Sequence, residues 1–358
     1  MKKKALVTEA LDYTPSIPIH TAVERSQSVV IPCLTALPRD DLTPLEFRID
    51  KTDAFIDLNK TYLELELQIL KGDGTEMKTV IKDKKVTEQD IAAPINNIGQ
   101  SIFENVDSYI SDQRVTGYDS NYPWWTYIYN LFYKTKLEKT TTMEGQIWFE
   151  DDAGRMDSVN LDETKPINQG FKTRFSLFQS SNRVKVFAPL MLNKKFDKYI
   201  PAQTELLLRF HRAPNNLVLM GKKDTAFKLK IWSAKLFVSR ITLQDAALRN
   251  YDRLLSSRGY TYPVEATYVK TRTVSKGDQN VDWVPFVGTL PKRIFFWQIN
   301  HEAYNANIDS NIYNFQSFML NKFQVFLNGL SLPIDSRMGS RTFRITTISI
   351  CTSSRQKQ

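Results

Sequence analysis

From Leu63 to Ile69 apolar and polar residues alternate without a break, with Leu63, Leu65, Leu67 and Ile69 set against Glu64, Glu66 and Gln68. A period of two sends successive side chains to opposite faces of a sheet, so the pattern predicts a strand with one dry and one wet face. Wound as a helix, the four apolar residues would scatter round the cylinder, and the good helix propensity of Leu and Glu loses to the pattern. The stretch Pro44 to Leu70 ends at Lys71-Gly72-Asp73-Gly74-Thr75, whose glycines supply the positive φ of a reversing turn. The alternation returns where Phe227, Leu229 and Ile231 are interleaved with Lys228 and Lys230, at the head of a strand run reaching Leu243.

Between these two fixed points lie further strand candidates: Ile102 to Val115 as a strand pair turning at Asp112-Gln113, Val184 to Phe187, Thr204 to Phe210, and Leu217 to Leu219. The most aromatic stretch, Tyr122 to Tyr133, fits either a strand or a short buried helix. It reads as a core wall or subunit contact, because a base-stacking platform would carry interleaved Arg and Lys and this run has none before Lys134. Asp245 to Ser257 carries Ala247, Leu248, Tyr251, Leu254 and Leu255 at helical spacing, with Gly259 as a C-terminal stop. Strands are predicted to resume at Tyr262 to Val274, Val281 to Val287 and Ile294 to Ile299.

Short strands of unequal length, long polar loops and a helix part-way along predict an all-β chain of two jelly-roll barrels joined by a short helix, the second incomplete. The predicted division is a proline-rich extended arm with one short strand over 1–43, a first jelly roll over 44–243, a linker helix over 244–259, and a truncated second roll over 260–358. Met319 to Leu332 echoes Ile102 to Val115 in apolar spacing and in the place of its turn, which fits duplicated barrels. The strand count drives the expectation of incompleteness: only Thr342 to Ile350 still reads as a strand near the end, before a polar, basic tail at Cys351 to Gln358.

Composition narrows the chemistry. At 358 residues the chain exceeds the usual single-domain size, and 12% aromatic content is high. No run approaches the roughly 18 apolar residues of a membrane-spanning helix. Thr8, Glu9 and Asp12 interrupt any apolar segment after the basic start, so no secretory leader is expected. The net charge of +9 comes from 48 basic and 39 acidic residues. Its tightest groups, at Lys2 to Lys4, Lys82 to Lys85 and Lys194-Lys195, are dispersed, so no specific nucleic-acid partner is expected. Cys33 and Cys351 sit at opposite ends of the chain and make neither a metal spacing nor a disulfide framework. The three histidines, His20, His211 and His301, each stand alone, and no nucleophile elbow, phosphate loop or zinc-binding helix motif occurs. Trp148 to Asp157 holds four carboxylates, but Ala153 and Arg155 stand where an EF-hand starting at Asp151 needs ligands, which leaves a surface loop. No catalytic, cofactor-binding or metal-binding residues are expected, and the chain does not read as an enzyme.

Several stretches together resemble a known family. They are Leu45-Glu46-Phe47, Phe55-Ile56-Asp57-Leu58, Asn121-Tyr122-Pro123, Trp148 to Asp157, Glu205 to Arg212, Asn216 to Met220, Gly288 to Arg293 and Phe326 to Pro333. In this order they resemble the double-jelly-roll, hexon-like major capsid proteins of Maverick/Polinton elements and adinto-type DNA viruses, which also persist as endogenous copies in animal genomes. The resemblance implies a structural role: two barrels side by side in each chain, a homotrimer forming a pseudo-hexameric capsomer, and contact with other capsid proteins in an icosahedral shell. It implies a place in the virion capsid, and in the host cell's interior, nucleus or cytoplasm, before assembly. It implies no cofactor or metal. A ligand- or carbohydrate-binding jelly roll remains the alternative, with Trp124, Trp125 and Asp119 as the residues that would line its site.

Overall fold

The structure is a computed structural model that describes residues 22–78, 81–82, 85–86, 90–115, 121–191, 198–258, 267–288, 291, 293–327, 329–331, 336–337 and 345–349. Eight strands build its main body: β1 Val23–Pro32, β2 Leu45–Ile49, β3 Phe55–Lys71, β4 Phe103–Ile110, β5 Gln113–Arg114, β6 Val184–Pro189, β7 Leu206–Arg212 and β8 Phe227–Leu243. They form two four-stranded sheets, ordered β1-β8-β3-β6 and β2-β7-β4-β5. Every pairing is antiparallel. The first strand pairs the eighth, the second the seventh, the third the sixth and the fourth the fifth, so the chain is one long antiparallel ribbon rolled into two facing sheets. That order is a jelly roll.

The period-two pattern decides what lies between the sheets. From β3 come Leu63, Leu65, Leu67 and Ile69, facing Leu229, Ala234 and Leu236 of the neighbouring β8 across the ladder. From the other sheet come Leu45, Phe47 and Ile49 of β2 with Leu206, Leu208 and Phe210 of β7, all buried. Phe210 closes the middle of the core, edge-on to Phe47 at 5.8 Å and tilted against Phe103 at 4.9 Å. Burying each such side chain stabilises the fold by about 1.5–3 kcal/mol before chain entropy is counted.

The wet face expected on β3 is half covered. The Gln68 amide donates to the Ser181 carbonyl at 2.7 Å and accepts from the Trp232 indole at 2.7 Å. The short helical turn Gln179–Ser181 therefore lies over the outside of the sheet, and the Ser181 hydroxyl donates to the Ile69 carbonyl at 2.7 Å. Burial of Gln68 is tolerable because both ends of its amide are satisfied.

The region read as an arm over 1–43 contains the first strand of the roll. Val23 to Pro32 runs along β8 from Leu243 to Lys235 with one irregularity near Val23. The short strand read from the sequence rested on the apolar run Val29-Val30-Ile31, which is only the last third of it, and the nearby prolines gave no sign of the rest. Residues 1–21 lie outside the described residues. The hairpin joining β4 and β5 turns at Ser111-Asp112, both at positive φ (46° and 66°), one residue earlier than the sequence pattern placed it.

Among the described residues, three helices longer than two turns decorate the roll. Tyr122–Tyr133 (α1) resolves the aromatic stretch as a helix, with Trp124, Tyr127 and Ile128 buried at helical spacing. Gln169–Phe178 (α2) buries Phe171, Arg174, Phe175 and Phe178. Asp245–Arg258 (α3) agrees with the helix read from the sequence and sets Tyr251 edge-on to Phe55 at 4.8 Å. Among the described residues no helix is long and apolar enough to cross a membrane.

After α3 the expected strands are only partly present. Residues 267–287 form no ladder, so neither the described part of Tyr262 to Val274 nor Val281 to Val287 is a strand. Arg293–Trp297 (β9) is a strand and pairs with Ile345–Ser349 (β10), matching the Ile294 to Ile299 and Thr342 to Ile350 patterns. In the echoing segment Phe326–Leu327 pairs with Leu330–Ser331, a hairpin as in its counterpart at Ile110 and Gln113.

Truncating the core at Leu208 to alanine is expected to cost about 2–5 kcal/mol of unfolding free energy. The same change at Leu137, which is 72% exposed, should stay within about 0.5 kcal/mol. Denaturant unfolding of the two variants beside the parent chain checks the contrast.

Candidate functional site

The stretch Trp148 to Asp157, expected as a surface loop, is built round a buried polar cluster. Asp151 and Arg174 form an ion pair at 2.6 Å with both side chains fully buried. A buried pair of this kind is tolerated only when the remaining donors and acceptors are also met. Here they are. Arg174 Nε donates to the Pro94 carbonyl at 2.8 Å and Nη1 to the Phe149 carbonyl. The Asp151 carboxylate also accepts from the Asn168 amide at 2.8 Å and from the Asn311 amide at 3.0 Å.

Each partner is delivered by a local device. Asn168 is the N-cap of α2, its Oδ1 accepting from the Phe171 amide at 3.4 Å and from the Asp152 amide at 3.2 Å. Gly170 lets α2 pass against the preceding segment, since a Cβ there would sit 2.3 Å from the Glu150 carbonyl oxygen. About one and a half turns into that helix, Arg174 then points back at Asp151. Of the four carboxylates in this stretch, Asp151 has its charge matched internally by Arg174. Among the described residues no group of three or more His, Cys, Asp or Glu side chains could hold a metal ion.

This knot fastens a remote part of the chain to the roll. The Asn311 backbone amide donates to Asp157 at 2.7 Å, and its side chain reaches both Asp151 and the Met156 carbonyl, at 3.1 Å. Tyr313 stacks flat on Tyr127 of α1 with centroids 3.8 Å apart, and its hydroxyl is 2.5 Å from the Ser101 Oγ. Burial pushes the Tyr313, Tyr127 and Tyr122 hydroxyls far above their ordinary range, which keeps them protonated. Ile308, Ile312, Tyr313 and Phe315 thereby join the core cluster of the roll.

The residues that would line a ligand site are otherwise engaged. Trp124 is buried, donates its indole N–H to the Ile312 carbonyl at 3.3 Å and stacks on Tyr304. Trp125 packs edge-on to Tyr122 and Tyr129; Asp119 lies outside the described residues. The gap lined by Leu63, Phe103, Tyr122 and Phe210 is too narrow for a water molecule. His211 lies in β7, with Nε2 3.0 Å from Asp107, whose carboxylate also takes Arg114 and Asn105. His301 opens a short helical turn capped by Asn300, with its Nε2 2.8 Å from the Asn305 side-chain amide nitrogen, while His20 and Cys351 lie outside the described residues. Cys33 is half-buried, and desolvation raises its thiol pKa, so it stays protonated at neutral pH.

The outer faces of the two sheets differ in kind. The β2-β7-β4-β5 face is laced with ion pairs: Glu46 with Arg209 at 2.8 Å, Glu205 with Arg48 at 3.2 Å, and the Asp107 cluster. The β1-β8-β3-β6 face carries an apolar band in which Tyr62 stacks on Phe237 at 4.7 Å and tilts against Phe187. Val30 continues the band onto β1, opposite Phe237 in the register. Val30 and Phe187 are both more than two-fifths exposed.

No family model matches the chain. An uncharacterized protein of Caenorhabditis elegans is 21% identical over 328 residues, covering 88% of this chain and 72% of that protein. Among solved structures, a cryo-EM structure of the Sputnik virophage aligns over 68% of this chain at 9% identity with a TM-score of 0.43. The Faustovirus major capsid protein aligns over 68% at 10% identity and 0.42, and the mavirus major capsid protein over 81% at 13% and 0.36. The chain spans 53%, 58% and 53% of those three solved chains, little more than half of each.

Replacing Arg174 by methionine leaves Asp151 buried without its cation and should cost about 3–5 kcal/mol. Hydrogen exchange is expected to accelerate at 308–315 more than in β3 or β8. Gly170→Ala should show the same local pattern, because its methyl group would collide with backbone and not with a side chain that can move.

Proposed function

We propose that this chain is a structural capsid protein, a major capsid subunit of the double-jelly-roll kind, and not an enzyme. The observation that carries the reading is the strand order of the roll together with its interior: two sheets closed on packed Leu, Ile and Phe side chains, where a sugar-binding or metal-dependent jelly roll needs an open polar cleft. The segment resemblance read from the sequence points the same way, and its longest piece, Trp148 to Asp157, is the one the fold uses to fix its polar knot.

In this reading the roll is one of two barrels, α3 is the linker, and the strands β9 and β10 belong to the second barrel. Three chains form a pseudo-hexameric capsomer, which tiles a shell with copies of itself and with other capsid proteins. Two barrels in each of three chains give six similar outward edges, which suits lattice packing. The Maverick/Polinton and adinto-type relationship, and an endogenous copy as the source, belong to the same proposal, as does residence in the host cell's interior before assembly.

Light scattering on a sizing column, followed by negative-stain microscopy, tests this directly. The expected result is a trimer with three-fold symmetric, near-hexagonal particles. A monomer at every concentration, or a monomer that binds a glycan array, would overturn the capsid reading.

A further inference from the structure

The segment 303–315 is embedded in the roll without belonging to any ladder. It follows a stretch that is largely open to water: along 267–287, Tyr268, Val274, Val281, Trp283, Val284 and Val287 are each more than one-third exposed. Gly277, in the turn of that stretch, has nothing within 4 Å of the place a Cβ would take. Further on the chain returns to the roll, and Ala303, Ile308, Asn311, Ile312, Tyr313 and Phe315 are all buried.

What holds the segment is a set of contacts that each read one of its positions. The Gly221 amide donates to the Ile308 carbonyl at 2.9 Å. Asn311 is read twice through its side chain, by Asp151 and by the Met156 carbonyl, and once through its backbone amide, by Asp157. Trp124 donates its indole N–H to the Ile312 carbonyl at 3.3 Å. Tyr313 stacks on Tyr127 at 3.8 Å, while its hydroxyl lies 2.5 Å from the Ser101 Oγ and donates to the Pro123 carbonyl at 3.2 Å. Phe315 tilts against Tyr127 at 6.1 Å.

Such a hold depends on sequence. A buried Asn that donates to a carboxylate and a carbonyl cannot become apolar without leaving both acceptors short of a donor. A flat ring stack that also carries a satisfied hydroxyl calls for tyrosine. The contacts made by β9 are shallower: Phe295 tilts against Phe132, which is 46% exposed, and the exposed Arg293 reaches the Tyr133 hydroxyl. Burial and specific polar contact thus concentrate in the segment ending at Phe315.

We propose that the roll carries a peptide-binding groove, floored by α1 and by Trp148 to Asp157, and that its occupant is the chain's own Ile308-x-x-Asn311-Ile312-Tyr313-x-Phe315. The segment acts as a clasp. The part of the chain after α3 is joined to the roll by this docked peptide, so the exposed covalent connection at 267–287 can be cut without parting the two. Because the segment lends no strand to either sheet, it can open and close while both sheets stay paired. The clasp is a property of one chain and does not depend on the capsomer reading.

Two measurements test it. A protease recognition sequence inserted between Lys276 and Gly277 of the full chain lets the connection be cut after folding, giving fragments 1–276 and 277–358. At micromolar concentration these should stay together through a sizing column, whereas with Asn311→Ala and Tyr313→Ala they should separate, an affinity loss of about a hundredfold or more. Parent fragments that part on cutting, or variant fragments that stay joined, would overturn the clasp. The second measurement needs no folded variant. A synthetic peptide of residues 301–316, in excess over the cut parent chain, should displace the 277–358 fragment, and the same peptide with Asn311→Ala and Tyr313→Ala should not. Displacement by both peptides, or by neither, would rule the groove out.

Discussion

The long pairing of β3 with β8 is the constraint from which the rest follows. Each strand has seventeen residues, and their register runs from Lys71 opposite Phe227 to Phe55 opposite Ile241. Because side-chain direction alternates along both, fixing that register fixes which of their residues face inward. Two irregularities, at Ile231/Ser233 and Phe237/Ser239, let the ladder bend while keeping Leu229, Ile231, Leu236 and Val238 buried. The other strands then have defined places: β1 and β6 flank the pair, and the second sheet covers the apolar side. A one-residue slip would expose Leu63 to Ile69 and bury Glu64 and Glu66, which no neighbouring group could compensate.

Sequence periodicity made this pair legible because it is local. Leu63 to Ile69 and Phe227 to Ile231 announce strands within seven residues, and α3 announces itself by its spacing and its stop. The buried ion pair was illegible for the opposite reason. Asp151, Arg174 and Asn311 lie far apart in the chain, and nothing in the spacing of Trp148 to Asp157 says which acid turns inward. A cue existed in the large apolar residues Trp148, Phe149 and Met156 threaded among the carboxylates, a mixture that a solvated loop does not need. Asn168 before Gln169 also reads as a helix cap once α2 is known.

Failures at 267–287 have a different cause. The β-branched and aromatic content of Val281 to Val287 is a sound strand signal, but strand propensity measures how a residue fits a half-buried pleated surface. With no neighbouring strand to pair among the described residues, the backbone there is extended and irregular, and Pro285 removes one donor from any ladder. The pattern thus described a capacity of the segment, and the fold around it decides whether that capacity is used. Val23 to Pro32 shows the converse. Its polar composition, Glu24 to Ser28, gives little strand signal, yet β8 offers an unpaired edge along its full length and the pairing forms.

The two outer faces bring these points together. On the β2-β7-β4-β5 side, the Glu46–Arg209 and Glu205–Arg48 pairs stay hydrated and contribute little net stability, about 0–1 kcal/mol for each exposed pair. Such a face keeps its solvation best when nothing covers it. On the β1-β8-β3-β6 side, Tyr62, Phe237 and Phe187 already stack among themselves, so covering them costs little desolvation of polar groups and removes apolar surface from water. The knot at Asp151 adds rigidity where it matters, because by locking 308–315 to the roll it fixes one root of everything that follows α3. The two outer faces therefore differ: one is laced with ion pairs, and the other sets an aromatic band of Tyr62, Phe237 and Phe187 among charged residues such as Glu64 and Lys235.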